Sequence, residues 1–272
     1  MPELNRETMT RHLHEALMLL AIALSAPVQG EVVFDGTTGP AGSLSGDMII
    51  PDTQGTAVGN NLFHSFSVFN INTGESATFT GPENVANIIS RVTGATSSTI
   101  NGVLEHNMPG AGFWLINPNG ILFGEQARLP TNGAFHASTA DYLKLEDGGR
   151  FGADISLPEN TVLTVAPPSA FGFLDADIGN IQIQDSNLTV QDGETLSLVG
   201  GDIAITGGTP GQLVARSGTV NIAAVASSGE AVIGAQGIDT SAFEQQGDIS
   251  LSQNGFVSVS DNFLGEPGAG SI

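Results

Sequence analysis

The sequence predicts an all-β fold, and within that class a parallel β-helix, in which short strands stack coil upon coil. After residue 30, apolar residues alternate with polar or small ones, most clearly over Asn180–Thr206. Such alternation turns one side of a strand inward and the other toward water. A second observation is a repeat of glycine followed by two alternating apolar residues, spaced roughly 23 residues apart, which is the length of one solenoid coil. The repeats begin at Gly179, Gly201, Gly218 and Gly247.

An antiparallel β-sandwich is the alternative, since it is also built from short alternating strands. Antiparallel strands are commonly joined by two-residue Asn-Gly or Asp-Gly turns. Here Asn132-Gly133 and Asp147-Gly148 are isolated rather than regularly placed, which favours the β-helix. Helical patterns are weak after the first thirty residues. Pro167-Pro168 is interpreted as a bend or a short excursion rather than as a domain boundary.

The composition excludes several classes of function. The 272 residues carry 28 acidic and 7 basic side chains, and the formal net charge at pH 7 is −21. Nucleic-acid binding depends on neutralising phosphates with Lys and Arg, so no nucleic-acid partner is expected. Because Cys is absent, the chain has no disulfide, no thiolate nucleophile and no cysteine-based zinc site. An apolar fraction of 40% and a mean hydropathy of +0.12 argue against disorder.

Residues 1–30 are predicted to be a signal peptide. The run Ala16–Ala26 is apolar or small, and it is too short to span a bilayer. It ends in small residues followed by Pro27, as the apolar region of a secretory signal does, and cleavage is expected after Ser25 or Gly30. A buried core helix is the alternative. It is disfavoured because nothing later in the chain is helical enough to pack against it.

Patterns that carry catalysis or bind metals are largely missing from the sequence. It contains neither a phosphate-binding glycine loop nor a Gly-x-Ser-x-Gly nucleophile motif. Aspartates in predicted turns, such as Asp175 and Asp202, are interpreted as turn formers rather than calcium ligands. We therefore expect no enzymatic activity, no metal and no cofactor. The histidines after the predicted signal are widely separated and lack the spacing of metal ligands: His64, His106 and His136.

The stretch Asn61–Asp141 holds most of the distinctive sequence. In Asn87–Val92, the two adjacent isoleucines are expected to face opposite sides of a strand. Arg91 is one of five cations after residue 30, and we expect it to pair with an acid or with turn carbonyls. Phenylalanine is the main bulky residue nearby, and is predicted to form a core or a lid over a solenoid end. These residues are Phe63, Phe66, Phe69 and Phe79.

The sharpest motif is the pentad Asn117-Pro-Asn-Gly-Ile121, which lies between two apolar, strand-like segments. Pro118 fixes φ at the second position of a turn, and Asn119 tolerates the third. Gly120 supplies the permissive conformation that follows. The side-chain amide of Asn117 can cap the turn backbone. By physics alone, the pentad predicts a rigid turn between buried strands.

Together these motifs resemble the secretion domain of two-partner secretion exoproteins, also called the filamentous haemagglutinin N-terminal or haemagglutination activity domain. The resemblance is most specific over residues 61–141 and extends more loosely from Glu31 to about Phe173. The repeat-like coils over residues 176–272 continue in the same style. The resemblance rests on four motifs in order: Asn87–Thr93, Ile100–Gly102, Asn117–Ile121 with Phe123-Gly124, and Ala137–Ala140.

The resemblance implies a right-handed parallel β-helix with an N-terminal β cap and short excursions from the helix, as one domain over residues 31–272. It also implies a secretion and folding motif made of Asn87, Arg91 and the pentad, whose members are Asn117, Pro118, Asn119, Gly120 and Ile121. Some family members carry an upstream Asn-Pro-Asn-Leu motif. This sequence lacks it, so no role of that motif is carried over.

A function and a route follow from the same resemblance. The chain would use the Sec machinery and cross the periplasm of a Gram-negative-type envelope. It would then be recognised by the periplasmic receptor domains of an outer-membrane TpsB-type β-barrel transporter. It would direct export of an adhesin-like passenger, secreted or held at the cell surface, and contacts with a host or glycan surface would belong to that passenger. Because no polar capping coil is visible before Ile272, we expect a longer exoprotein.

Two other classes of function remain as alternatives. One is an autonomous carbohydrate-binding or adhesive β-helix, which would bind glycans or cells directly. The other is a β-helix enzyme acting on polysaccharides, which would need paired carboxylates and cations to bind an acidic sugar. The chain has one lysine, Lys144, so it has few cations with which a polysaccharide enzyme could bind an acidic sugar.

Overall fold

The structure is a computed structural model that describes residues 30–207 and 212–260, with the side chain of Gln212 left out. The predicted signal peptide therefore lies outside the described residues except for Gly30. The fold is all-β with about 3% helix, and it contains a parallel β-solenoid of about seven turns. The β-helix prediction is confirmed, and the antiparallel sandwich was the wrong alternative.

The described residues form short strands joined by turns and by two 3-10 turns, Asp52–Gln54 and Pro158–Asn160. In chain order the strands are β1 (Glu31–Phe34), β2 (Gly42–Ser45), β3 (Met48–Pro51), β4 (Thr56–Val58), β5 (Asn61–Phe69), β6 (Ser76–Thr80), β7 (Asn87–Val92), β8 (Ser98–Ile100), β9 (Val103–His106), β10 (Gly112–Ile116), β11 (Ile121–Phe123), β12 (Phe135–Ser138), β13 (Tyr142–Leu145), β14 (Arg150–Gly152), β15 (Pro168–Phe173), β16 (Ile181–Gln184), β17 (Asn187–Thr189), β18 (Thr195–Gly200), β19 (Ile203–Thr206), β20 (Gln212–Val214), β21 (Thr219–Ala224), β22 (Gly229–Gly234), β23 (Gly237–Asp239), β24 (Ile249–Ser252) and β25 (Phe256–Ser258).

Three faces make up the solenoid, and the chain visits them in turn. The first, called the long sheet, runs β2-β1-β5-β7-β10-β12-β18-β21, with β4 added against β5. The second sheet runs β8-β11-β16-β19-β24. The third face consists of β3-β6-β9 and β17-β20-β25, which single bridges at Arg128 connect. From β5 onward, neighbouring strands on these faces are parallel, as successive coils of one solenoid require.

Apolar side chains stack in register inside the solenoid. On the long sheet, the parallel pairings place one inward residue of each coil directly above the next. All members of this row are fully buried, so each coil removes apolar surface of its neighbours from water, which is the main stabilising contribution in a solenoid. The row is Leu62, Ile88, Phe113, Phe135, Leu196 and Val220.

The long sheet is also covered on its outer side. Two excursions leave the solenoid and form an antiparallel side sheet in the order β14-β13-β15-β22-β23. Its apolar residues pack on the outward side chains of the long sheet and form a second core. Ile88 belongs to the inner core and Ile89 to the outer one, which confirms that the two isoleucines face opposite sides. Pro168 begins β15, the third strand of the first excursion.

An N-terminal cap closes the start of the solenoid. Strands β1, β2 and β4 are antiparallel to their neighbours, so they end the parallel stacking at β5. The cap covers the first coil with buried Val32 and Phe34. The predicted aromatic cluster lies immediately behind it and is buried, with ring centroids 5.0 to 6.2 Å apart within the group Phe66, Phe69 and Phe79.

One detail of the predicted repeat is wrong. Gly179, Gly201 and Gly247 precede β16, β19 and β24, which are neighbours on the second sheet. Gly218 precedes β21, which belongs to the long sheet instead. The four glycines therefore do not share one position of the coil. The separation from Gly201 to Gly247 is large because the excursion of β22 and β23 is inserted within that coil.

The described part of the chain has no helix long and apolar enough to cross a membrane. Over the same residues, no three or more acidic or histidine side chains gather in a way that could hold a metal ion.

Three histidines are buried in the described structure. Burial lowers the pKa of His64 to about 4 and that of His136 to about 3, and it also lowers the pKa of His106. Both ring nitrogens of His64 lack a hydrogen-bond partner within the described residues, and its ring lies edge-on to Phe79 at 5.2 Å. These histidines are therefore neutral at physiological pH.

We predict that the free energy of unfolding falls as the pH is lowered from about 6.5 to 4. The unfolded chain binds a proton at each histidine in this range, whereas folded His64 stays neutral, so its contribution of roughly 3 kcal/mol is present above pH 6.5 and is lost toward pH 4. Urea unfolding at a series of pH values measures this slope. The variant His64→Leu should show a flatter dependence, and equal slopes in both proteins would contradict the assignment.

Candidate functional site

The pentad forms the corner at which the chain passes from the long sheet to the second sheet. Strand β10 ends at Ile116 and β11 begins at Ile121. The N–H of Gly120 donates to the carbonyl of Asn117 at 3.1 Å, which closes a four-residue turn. Gly120 has a φ of +109°, a conformation that favours glycine. The predicted rigid turn between buried strands is thus present.

Asn117 is fully buried and holds the turn from inside. Its Oδ1 accepts the N–H of Asn119 at 3.0 Å, as expected for a side chain that caps its own turn. Its Nδ2 donates to the carbonyl of Thr96 at 3.1 Å and to Ser98 Oγ at 3.0 Å. These two partners belong to the preceding coil, so one side chain fixes the turn and joins it to its neighbour.

Asn119 is the exposed member of the pentad. Pro118 is half-buried, and the other three residues are buried. Asn119 Nδ2 also reaches back to the preceding coil, where it donates to the carbonyl of Gly94 at 2.8 Å. Two clefts meet at Asn119. The larger, of about 400 Å³, is called the turn cleft, and the smaller, of about 320 Å³, lies on the side of Asn180 and Gln182.

The turn cleft is lined by three segments that are distant in sequence. Pro118 and Asn119 form one wall, and the corner of the preceding coil, Val92–Ala95, forms another. The third wall is the loop Ala153–Ser156 of the first excursion, whose Ile155 is 46% exposed. Asp141 also lines the cleft, and burial and the charge of Asp175 raise its pKa. Among the described residues that line this cleft, the charged ones are all acidic.

Beneath the pentad lies the first glycine of the repeat. The N–H of Ile121 donates to the carbonyl of Asn180 at 3.1 Å, and Ile121 pairs with Ile181 in register. A Cβ placed on Gly179 would collide with the carbonyl oxygen of Pro118 and would lie 2.6 Å from the nitrogen of Gly120. The pentad and the repeat, which the sequence presents separately, therefore occupy the same corner in successive coils.

That corner continues as a ladder of side-chain caps. Asn180 Oδ1 accepts the N–H of Asp202 at 3.0 Å, and Asp202 Oδ1 accepts the N–H of Asp248 at 2.9 Å. Each polar side chain therefore binds the backbone of the equivalent residue one coil later. This geometry explains why Asn or Asp follows the glycine in these repeats, and it shows that the side chain of Asp202 caps the corner of the next coil.

Arg91 is buried beneath the cap and contacts several segments at once. Its Nε donates to Ser65 Oγ at 2.7 Å, and its Nη2 donates to Thr37 Oγ1 at 3.0 Å. Three acceptors of the first excursion lie around Nη1, at 2.7 to 3.1 Å: the carbonyls of Gly152 and Asn160, and the hydroxyl of Thr161. The guanidinium also lies over the ring of Phe151 at 4.2 Å. Of the two expected kinds of partner, Arg91 contacts a turn carbonyl directly, at Asn160, and reaches an acid, Asp35, through Ser65.

The charge of Arg91 is balanced by Asp35 through Ser65. Burial lowers the pKa of Arg91 to about 10, and the nearby carboxylate of Asp35 opposes this shift. Burial would also raise the pKa of Asp35, but hydrogen bonds from Ser65, Thr37 and Thr93 outweigh it, and the pKa is lowered. Both groups remain ionised at neutral pH. The Arg91 network therefore joins the cap, the second coil and the first excursion through charge-assisted hydrogen bonds.

Asn87 lies away from the other motif residues. It begins β7 and Arg91 is four residues later, a distance of about 13 Å along the strand. Asn87 Nδ2 donates to Asn61 Oδ1 at 2.9 Å, and its Oδ1 accepts the indole N–H of Trp114 at 3.1 Å. Asn61 in turn donates to the carbonyls of Thr164 and Ala166. Asn87 thus anchors the excursion at the start of β7, whereas Arg91 anchors it near the end of β7, on the side of the pentad.

Several residues of this site could not be assigned to it from local sequence alone. Asp35 lies in the cap, Gly179 lies two coils beyond Arg91's strand, and Ala153–Ser156 belongs to an excursion. Alternation and turn chemistry describe each segment alone, so they do not indicate which segments the topology brings together. The glycine repeat was the one available signal for Gly179.

We predict that Arg91→Lys lowers the free energy of unfolding by roughly 2 kcal/mol or more. Lysine keeps the charge but cannot reproduce the planar guanidinium fork, so several buried acceptors lose their donor. Urea unfolding followed by circular dichroism measures the change. Arg150→Lys is the control, because the side chain of Arg150 is 36% exposed and its ion pair with Glu230 is 3.9 Å long. Equal effects of the two changes would contradict the role of Arg91.

We also predict that Gly179→Ala destabilises the fold by about 1–3 kcal/mol, because the added methyl group has no room under the pentad. Gly42→Ala provides a matched control, since nothing lies within 4 Å of a Cβ placed on Gly42. The comparison uses thermal and urea unfolding of both variants. A Gly179→Ala protein as stable as the Gly42→Ala protein would show that the corner is looser than its geometry indicates.

Comparison with known proteins agrees with the geometry. The family model described as the TPS secretion domain matches residues 31–268, which includes the cap, the pentad and the repeat-like coils. No curated protein matches the sequence. Members of this family are secretion domains of exported proteins rather than enzymes. The chain therefore belongs to the TPS secretion domain family and contains the N-terminal domain of a two-partner secretion exoprotein.

Proposed function

We propose that residues 31–272 act as the export address of this exoprotein, read by the periplasmic receptor domains of an outer-membrane TpsB-type transporter. The observation that carries the proposal is the TPS match over residues 31–268. Residues 1–30 serve as the signal peptide that brings the chain to the periplasm through the Sec machinery. The exported product is secreted or held at the cell surface, and an adhesin-like passenger follows the domain.

We assign the exposed Asn119 and the adjoining turn cleft as the surface that the receptor domains contact. Asn119 is exposed and stands between two clefts, so a partner can contact it from both sides. The buried members of the motif support this surface rather than contact the partner. Asn117 fixes the turn, and Arg91 fixes the excursion that supplies Ile155 and its neighbours to the cleft wall.

Electrostatics favours a basic partner surface. The formal charge of the chain is −21, and the charged side chains that line the turn cleft are Asp141 and Asp154. Acidic clefts raise the association rate of a basic partner, and this effect weakens with salt.

The composition also suits the route, because a chain without Cys carries no disulfide that would obstruct passage through a barrel in extended form. We expect no catalytic turnover.

We predict that Ile155→Arg leaves the domain folded but reduces export and weakens binding to the receptor domains at least tenfold. The arginine would fill the turn cleft and carry the wrong charge for a basic partner. Secretion of the chain from a Gram-negative host is measured with and without its cognate transporter, and binding to the isolated receptor domains is measured by calorimetry. Ile49→Arg is the matched control, because Ile49 is 64% exposed on β3, on the third face.

Two other outcomes bear on the proposal. Export of the unaltered chain that is equal with and without the transporter would overturn the address function itself. Normal export of the Ile155→Arg variant would retain the function but move the recognition surface away from the turn cleft. Asn117→Ala should reduce both stability and export, since it removes the inner support of the turn. Binding that does not change between low and physiological ionic strength would contradict the electrostatic contribution.

A further inference from the structure

Another concave surface lies on the outer side of the long sheet, and it is separate from both clefts at Asn119. This outer groove has a volume of about 380 Å³, within the range of small-molecule sites. Its floor consists of outward side chains of the long sheet, and its walls are Pro167-Pro168 and the hairpin of β22 and β23. The side sheet covers the outer side of the long sheet at other positions, but here it leaves the floor open.

The floor changes character along a single row of stacked residues. The parallel pairings place the outward residues of successive coils in one line, and the first three are large and apolar. From His136 onward the row is polar. An apolar row would extend the outer core, so the polar part needs another explanation. The row is Phe63, Ile89, Trp114, His136, Ser197 and Asn221.

His136 is the unusual member of this row. Its side chain lies flat on the indole of Trp114, with ring centroids 3.7 Å apart, and only 6% of the residue is exposed. Nδ1 is buried and has no hydrogen-bond partner within the described residues. Buried polar atoms are nearly always paired, so an unpaired imidazole nitrogen beside a cavity indicates a missing partner. Burial lowers the pKa of His136 to about 3, so the ring is neutral at pH 7 and has one donor and one acceptor.

The other polar groups of the groove are also neutral. Asn221 Nδ2 donates to Ser197 Oγ at 3.1 Å, which leaves the amide oxygen of Asn221 as a further acceptor. Asn87 contributes its amide beside Trp114. Among the described residues that line the groove, none is Asp, Glu, Lys or Arg. An anionic ligand would find no cation there, and a cationic ligand would find no carboxylate.

We propose that the outer groove is a binding site for a neutral saccharide. Sugar hydroxyl groups both donate and accept hydrogen bonds, which suits a row of imidazole, hydroxyl and amide groups. The exposed Pro167 supplies apolar surface for a face of the sugar ring, and the buried Trp114 indole packs against the His136 ring and holds it in place. This activity is independent of transporter recognition, because the groove shares no lining residue with the turn cleft.

Trp114 makes the proposal directly testable, because it is the one tryptophan of the chain. The emission of the purified chain is titrated with a panel of neutral hexose and N-acetylhexosamine oligosaccharides, together with sialylated and sulfated ones. We expect a saturable change with at least one neutral oligosaccharide and none that requires an acidic group. His136→Phe keeps a ring against Trp114 but removes both nitrogens, and it should weaken binding at least tenfold.

His106→Phe is the matched control, since His106 is equally buried but packs near Phe113 in the inner core. It should bind the saccharide like the unaltered chain. Circular dichroism verifies the fold of each variant. If His136→Phe does not fold, Asn221→Ala replaces it, with the same expected loss. No saturable response to any neutral oligosaccharide, binding of acidic ones alone, or equal affinity in the groove variant and the control would overturn the proposal.

Discussion

Each coil of this solenoid can bury its apolar side chains only if it remains in register with the coils on either side. The strands are only three to six residues long beyond β5, so few backbone hydrogen bonds hold any one pair. A shift by one residue would turn the inward row outward. The contacts at the corners therefore help to specify the register. The pentad corner contacts the coils on both sides of it. Asn117 binds the preceding coil, and Gly179 of the following coil packs against Pro118 and Gly120.

Burial of Arg91 is a second constraint, because it links parts of the chain that the solenoid alone would leave independent. A buried guanidinium is tolerated only when its donors are satisfied and its charge is balanced. Here the acceptors come from the cap and from the first excursion, and the balancing charge comes from Asp35. The excursion is thus held in a fixed position on the long sheet. Its position matters because its loop completes the turn cleft.

The sequence allowed the class of fold to be predicted because alternation and coil length are local properties. The opposite orientations of Ile88 and Ile89, the conformation of Gly120 and the capping by Asn117 were predictable for the same reason. The side sheet was not, since its pairing of β15 with β22 joins residues as distant in sequence as Ala170 and Val232. Gly218 was misplaced because a glycine before an alternating strand occurs at more than one corner of the coil. The hydrogen-bond partners of Arg91 could not be predicted either, because the topology brings them together from distant segments.

The order in which these contacts can form distinguishes the pentad from Arg91. Asn117 finds its partners 19 and 21 residues earlier in the chain, within one coil. Arg91 requires Thr161, which is 70 residues later, and Thr37, which is 54 residues earlier. In a chain that emerges from a barrel from one end to the other, the pentad corner can close as soon as two coils are present. The Arg91 network must wait for the whole excursion, because loop closure precedes its hydrogen bonds. The residues that support the proposed recognition surface therefore also define an order of folding, in which local coils form first and the turn cleft is completed last.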